Sequence, residues 1–423
     1  VTEKRYLSAF LTAINIVSIS IVNAVITYSV NLFFTVIQFL ILIFSAYIFL
    51  RQSRGQRLAV FLSMLIISFI SFSASSYIFG MDHYNPGEKY FRIKYALTDM
   101  CSNEDIRNIS ENRCINPVKF RIGRPYNFAV SKNSDVVVFD RMNGIYSING
   151  NGDITESGLP AEYSFTANIT YNTLKDEIVF ANHYEEMFVM RASDMQIIHK
   201  SSLPWKDIFD FDDGFVTTEY DINEYWLGAG HGKRIVRYDT RDYRYKGYLN
   251  IDYDKITGAY LRWHRTGKDS LVLLTELGIY KLARNGREDY YTVADKKFYP
   301  SFFHEIYSST ESRQIFFSNF LLNRVERIGF DDPFRITSFY SGKGPRWLIY
   351  DDTASLLYVS NYSERNVTII DTKRNIILKH IMVGPRPRGI GKDPVTGKII
   401  VVSGCGVFEI KPTDECMKAK WEE

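Results

Sequence analysis

Two stretches near the C-terminus start alike, Gly344-Pro345-Arg346 and Gly384-Pro385-Arg386, and each continues as short apolar runs separated by Gly, Asn and Asp. Runs rich in Val, Ile, Tyr and Phe at this length are strands. The first copy occupies about 40 residues, enough for four strands and their turns. Such a unit cannot bury both faces of its own sheet, so it must stack on neighbours. A stack of sheets with open ends leaves an apolar face uncovered at each end, and closing the stack into a ring covers both.

Earlier copies are degenerate but can be followed. Tyr126–Val130 leads to Asp135–Asp140, and Ala167–Tyr171 to Glu177–Asn182 and Met187–Arg191. Asp207–Phe211 leads to Phe215–Glu219 and Ile235–Thr240, and Ala259–Trp263 to Ser270–Thr275 and Ile279–Leu282. Phe302–Tyr307 leads to Gln314–Asn319 and Val325–Ile328. With the two clear copies this makes about seven blades. The last copy stops after Val407–Ile410 without an outer strand, and the missing piece stands at the other end, in Val118–Ile122 before Gly123-Arg124-Pro125. An N-terminal strand lent to the last blade closes the ring.

The stretch from Gly344 to Gly384 resembles the repeat of the YVTN family of β-propellers. It has the Gly-Pro-Arg opening, a strand, a Leu357-Tyr358-Val359-Ser360-Asn361 strand, an Ile370-Asp371-Thr372 strand and an outer strand ending in Gly. The resemblance is specific over residues 344–411 and weak over 118–343. It implies four-stranded blades around a central channel.

The N-terminal part differs. No charged side chain occurs from Tyr6 to Leu50 or from Leu58 to Met81. About 20 apolar helical residues cross a bilayer, so spans are expected near residues 6–28, 32–50 and 58–79. Lys4 and Arg5, and Arg51, Arg54 and Arg57 in the loop before the third span, place the N-terminus and that loop in the cytoplasm and everything after Met81 on the other side. The expected fold class is an N-terminal α-helical transmembrane bundle of three helices followed by an all-β, seven-bladed β-propeller. Residues 1–81 form the anchor, 82–116 a linker, 117–412 the propeller and 413–423 a tail. The expected location is the bacterial cytoplasmic (inner) membrane, with the propeller periplasmic or extracellular.

All four cysteines, Cys101, Cys114, Cys405 and Cys416, follow those runs. An even count suits an oxidising compartment. Of the three possible pairings, the local one, Cys101 with Cys114 and Cys405 with Cys416, is expected. Glycosylation-type sequons at Asn108, Asn168, Asn361 and Asn366 occur at a frequency that chance supplies.

No phosphate loop, zinc helix, nucleophile elbow or Ca²⁺ loop is present, so no cofactor or metal is expected. Propeller sites are instead assembled from single residues of separate blades, at the face where the inner strands begin. Arg124, Arg346, Arg386 and Arg388 fall at those beginnings. Arg141, Asn182 and His183 fall in turns that open to the same face, with Asp140, Asn143, Glu185, Ser318, Asn319, Ser360, Asn361 and Ser403. Together they form a basic, hydrogen-bonding rim suited to an anionic ligand or an acidic loop. The competing expectation is that the arginines serve carbonyls between blades and the Ser-Asn pairs cap turns. His231, in a glycine-rich loop, and the tyrosines between Tyr238 and Tyr253 are further candidate contact points.

The expected function is a protein-interaction or scaffolding subunit of a larger membrane complex. Its expected partners are other membrane-protein subunits or extracytoplasmic proteins and the lipid bilayer, and no nucleic acid is expected at a net charge of +3. The alternative is a lactonase-like hydrolase, a quinone-cofactor dehydrogenase or an anion-binding protein with its site at the channel mouth. An enzyme would need carboxylates there, where the expected rim is basic.

Overall fold

The structure, a computed structural model, describes residues 100–413 and Cys416, apart from 161–162, 164–165, 183–185, 203–214, 229–233, 259–260, 286–289, 301–302 and 321. Its organising principle is visible in the burial of the second strands. Val136–Asp140, Gln314–Asn319, Leu356–Asn361 and Ile399–Ser403 are buried along almost their whole length. A strand with a sheet packed on each face has no solvent side, which is why Val136-Val137-Val138-Phe139 reads as a continuous apolar run. Outer strands alternate instead, as Ile197–Ser202 does.

The chain opens with α1 (Asn103–Ser110), capped by Ser102, whose hydroxyl accepts from the Asp105 amide while Asp105 accepts from the Ser102 amide. β1 (Ile115–Phe120) follows. Blade 1 is β2 (Pro125–Val130), β3 (Val136–Asp140), β4 (Gly144–Ile148) and β5 (Ile154–Glu156), and blade 2 is β6 (Thr166–Asn172), β7 (Glu177–Asn182), β8 (Glu186–Arg191) and β9 (Ile197–Ser202). Blade 3 is β10 (Phe215–Glu219), β11 (Glu224–Gly228), β12 (Ile235–Asp239) and β13 (Tyr245–Tyr248). After β14 (Asn250–Ile251), blade 4 is β15 (Arg262–Gly267), β16 (Ser270–Thr275), β17 (Gly278–Asn285) and β18 (Tyr290–Phe298), with β14 added parallel to β18. Blade 5 is β19 (Phe303–Ser309), β20 (Gln314–Asn319), β21 (Arg324–Gly329) and β22 (Thr337–Tyr340), and blade 6 is β23 (Pro345–Asp351), β24 (Leu356–Asn361), β25 (Asn366–Asp371) and β26 (Ile376–Met382). Blade 7 is β27 (Gly389–Lys392), β28 (Ile399–Ser403) and β29 (Gly406–Ile410), completed by β1.

These seven sheets make a seven-bladed propeller. Inner strands neighbour one another from β15 through β19, β23, β27, β2 and β6 to β10, and the Trp263 indole joins β15 to β10 by donating to Thr217 Oγ1 at 3.1 Å. The ring closes as the repeat implied: β1 pairs antiparallel with β29, Ile115 opposite Ile410 and Phe120 opposite Gly406. Gly406 has to be a glycine, because its φ is +144° and a Cβ there would lie 2.1 Å from the Lys119 carbonyl. We call the side where inner strands begin the upper face.

Four expectations are corrected. The expected three-helix bundle is not supported: among the described residues the one α-helix is α1, and no helix there is long and apolar enough to cross a membrane. Its eight residues rise about 12 Å against about 30 Å of hydrocarbon. The expected spans near 6–28, 32–50 and 58–79 lie outside the described residues, and the inner-membrane location that depended on them is withdrawn. The disulfides are not local either. Cys101 pairs with Cys405 and Cys114 with Cys416, because ring closure brings the two ends of the domain side by side. In blade 3, Phe215–Glu219 is the inner strand and not the second; the second is Glu224–Gly228.

Candidate functional site

Three of the expected rim arginines meet in one arc on the upper face. Arg388, just before β27, and Arg346, at the start of β23, are buried. Their guanidinium groups lie over aromatic rings of their own and neighbouring blades. Arg388 lies 4.3 Å from the Tyr126 ring centre and 5.5 Å from that of Tyr362. Arg346 lies 4.6 Å from Tyr362 and 5.9 Å from Phe320, and Arg141 lies 4.1 Å from Tyr126. The order Phe320, Arg346, Tyr362, Arg388, Tyr126, Arg141 therefore runs from blade 5 across the closure seam to blade 1. Each such contact is worth about 0.5–2 kcal/mol, more when desolvated. Burial lowers the pKa of Arg388 to about 9, still above neutrality, so the group remains a cation at physiological pH.

Two further rim arginines, Arg124 and Arg386, stand on the same face. Arg124 is half-buried and its amide donates to Asp140 Oδ1 at 3.1 Å. Arg386 is half-buried with a left-handed φ of 53°. Asn182 ends β7, opposite Glu186, and its side chain lies outside the described residues, as do His183, Glu185 and His231.

The hydrogen-bonding residues of the rim are engaged by the scaffold. The Asp140 carboxylate accepts from the amides of Arg124, Met142 and Asn143 and holds the β3–β4 turn. Ser318 donates to the Arg346 carbonyl at 2.8 Å, Ser360 to that of Trp347 at 3.2 Å and Ser403 to that of Val383 at 2.5 Å. Asn361 is buried and donates to Ser341 O, Asn366 Oδ1 and Thr368 Oγ1. The sequons at Asn361 and Asn366 are buried, whereas Asn108 is exposed on α1. Cys101, Asp105 and Cys405 are the one metal-type donor cluster among the described residues, and its sulfurs are joined in a disulfide.

Sequence reasoning missed the aromatic half of the arc, although its signal was present. Ser318-Asn319-Phe320 and Ser360-Asn361-Tyr362 repeat a Ser-Asn-aromatic ending at the close of the second strand. It also missed a set of exposed apolar side chains on the same face. Ile122, Met142, Phe298, Leu322, Tyr340 and Met382 all lie at strand ends or turns that open upward, and Phe298 is 75% exposed.

No family model matches the chain, and no curated protein matches it. Among solved structures, the fold is similar to virginiamycin B lyase from Staphylococcus aureus. A catalytically inactive variant of that lyase with quinupristin matches at a TM-score of 0.52 and 19% identity, over 70% of this chain and 96% of that one. The selenomethionine-substituted form of the lyase matches at 0.52 and 18%, over 70% and 97%. Kuenenia stuttgartiensis hydrazine synthase matches at 0.53 and 11%, over 70% and 98%. Identities this low establish the shared propeller fold alone.

Proposed function

We propose that this propeller is a non-enzymatic interaction module that docks a protein partner on its upper face, as a subunit of a larger assembly. The observation that carries this reading is that the exposed Ile122, Met142, Phe298, Leu322, Tyr340 and Met382 share the upper face with the buried arginine–aromatic arc. Exposed apolar side chains by themselves are ordinary, and Leu174, Tyr220, Tyr245, Ile376 and Val395 stand on the lower face, so it is the arc that distinguishes the upper one. The arginines of the arc supply rigidity, which lowers the entropy lost on docking. Exposed Lys343 and half-buried Arg124 and Arg386 favour a partner with an acidic rim. Two disulfides suit an oxidising compartment.

The test is site-specific photo-crosslinking in the native host. A photoreactive residue at Met142 or Phe298 should give a discrete heavier species of defined mass. The same residue at Leu174, exposed in the β6–β7 turn of the lower face, should not. Equal labelling from both faces, or none from the upper one, refutes the reading.

A further inference from the structure

Four arginines of the upper face gather at one place on the closure seam, around Gly404. The Gly123 amide donates to the Gly404 carbonyl at 3.2 Å, and the Gly404 amide to the Pro385 carbonyl at 2.7 Å. These bonds set Arg124, which follows Gly123, and Arg386, which follows Pro385, to either side of Gly404. The Arg141 amide donates to the Arg124 carbonyl at 3.0 Å, and the Arg388 amide to the Val402 carbonyl at 3.2 Å. The guanidinium carbons of Arg141 and Arg388 lie 4.1 and 4.3 Å from the same Tyr126 ring centre. Arg388 is buried, whereas Arg124, Arg141 and Arg386 are half-buried and reachable from solvent. Asp140, a carboxylate of this corner, is buried and accepts from the amides of Arg124, Met142 and Asn143, so it serves the turn. Like charges drawn together repel, and an anion among them removes that cost.

Arg386 carries a second mark. Its φ of 53° lies in the left-handed region, and Pro387 follows it, which restricts its backbone further. Glycine holds such a conformation at lower cost, yet a long cationic side chain stands here. Strain kept where another residue would relieve it points to a use for the side chain.

We propose that this place binds a small soluble polyanion of the phosphate type, held by Arg124, Arg141, Arg386 and Arg388. A carboxylate offers two oxygens in one plane, whereas a phosphate group offers tetrahedrally arranged oxygens that accept from guanidinium groups on several sides. The site goes beyond the docking reading and does not rest on it.

The test is calorimetric titration of the full-length protein with pyrophosphate at fixed ionic strength, with acetate as the planar, singly charged counterpart. Pyrophosphate should bind saturably, and acetate about tenfold more weakly or less. Arg386→Gly should weaken pyrophosphate about tenfold without lowering the melting temperature of the ligand-free protein, since it removes donors and relieves strain. Arg124→Gln should weaken it about fivefold. Arg374→Gln removes the same charge from the lower face, at a side chain 75% exposed, and should leave the affinity within about twofold of wild type. No saturable pyrophosphate binding up to about 10 mM overturns the proposal. So does a loss from Arg374→Gln equal to that from Arg386→Gly, which would mean diffuse attraction. A lower melting temperature for Arg386→Gly with unchanged affinity would make Arg386 structural and overturn it as well. Displacement of pyrophosphate by phosphatidylglycerol vesicles would overturn the assignment to a soluble ligand.

Discussion

Cys101 and Cys405 are 304 residues apart in sequence, yet a disulfide holds their Cα atoms 5.0 Å apart beside the strand pair that closes the ring. Cys114 and Cys416 repeat the arrangement across 302 residues. Either bond alone confines the unfolded chain to a loop of about 300 residues. With one in place, the other closes only roughly two dozen residues, worth about 3 kcal/mol in chain entropy. Cys114→Ser with Cys416→Ser, or Cys101→Ser with Cys405→Ser, should each cost about 3 kcal/mol. Removing both bonds should cost more than the sum of the two, because the long loop is then released as well. Urea unfolding of the four species measures this, and simple additivity would refute it.

Gly384 couples this covalent seam to the repeat. Its φ is +86°, and a Cβ there would lie 2.4 Å from Cys405 Sγ. Gly384→Ala therefore combines left-handed strain with a collision against a buried disulfide, and should cost about 3 kcal/mol or more. In a variant that also carries Cys101→Ser and Cys405→Ser the collision is smaller. Part of the cost should then disappear, which a double-mutant cycle reads directly.

What the sequence made legible, and what it did not, follows from how far each interaction reaches along the chain. Blade 6 was readable strand by strand, because its four strands and turns lie within the single copy from Gly344 to Gly384. Ring closure was readable too, with β1 at Ile115–Phe120 a few residues before the expected Val118–Ile122. In blade 3 the reading slipped by one strand. The 3-10 turn Tyr220–Ile222 and the left-handed Asn223 separate two strands that carry no Gly or Pro between them. The disulfide pairing was missed because sequence proximity outweighed the adjacency that closure itself imposes. Most tyrosines between Tyr238 and Tyr253 proved structural: Tyr238 is buried, Tyr243 donates to Glu177 Oε1 at 2.6 Å and Tyr253 to the Leu249 carbonyl at 3.2 Å. Arg346 and Arg388 were visible as recurring residues, but the Phe320 and Tyr126 rings they lie over come from other blades.

His264 in β15 gives the fold an acid-sensitive point. Its ring packs 4.8 Å from that of Phe330, and its Nε2 is buried without a hydrogen-bond partner among the described residues. Burial first, and the Arg265 charge second, lower its pKa from 6.5 to about 4. Above pH 6.5 the folded and unfolded chains both hold it neutral, so it adds no pH dependence there. Between 6.5 and about 4 the unfolded chain takes up a proton that the folded one refuses, so stability falls as pH falls. The loss is at most about 3 kcal/mol at about 1.4 kcal/mol per pH unit. His264→Phe keeps the packing against Phe330 and removes the titration. Its unfolding free energy should fall by about 2 kcal/mol less than wild type between pH 7 and pH 4.5, and parallel pH curves would refute the assignment.

Arg388 tests whether the arc depends on charge or on shape. Lysine keeps the charge, but an ammonium lacks the flat guanidinium surface that lies over the Tyr126 and Tyr362 rings. If these ring contacts hold the upper face together, Arg388→Lys should cost about 1–3 kcal/mol, since it leaves a strongly hydrated group in a buried site. Arg124→Lys, at a half-buried position on the same face, should cost less than about 0.5 kcal/mol. The spectroscopic readout is local: Arg388→Lys should shift the tyrosine absorbance near the seam, while Arg124→Lys should leave it unchanged. Equal and small effects at both positions would mean that the arc is held by charge alone, and that the rigidity ascribed to the docking face has another source.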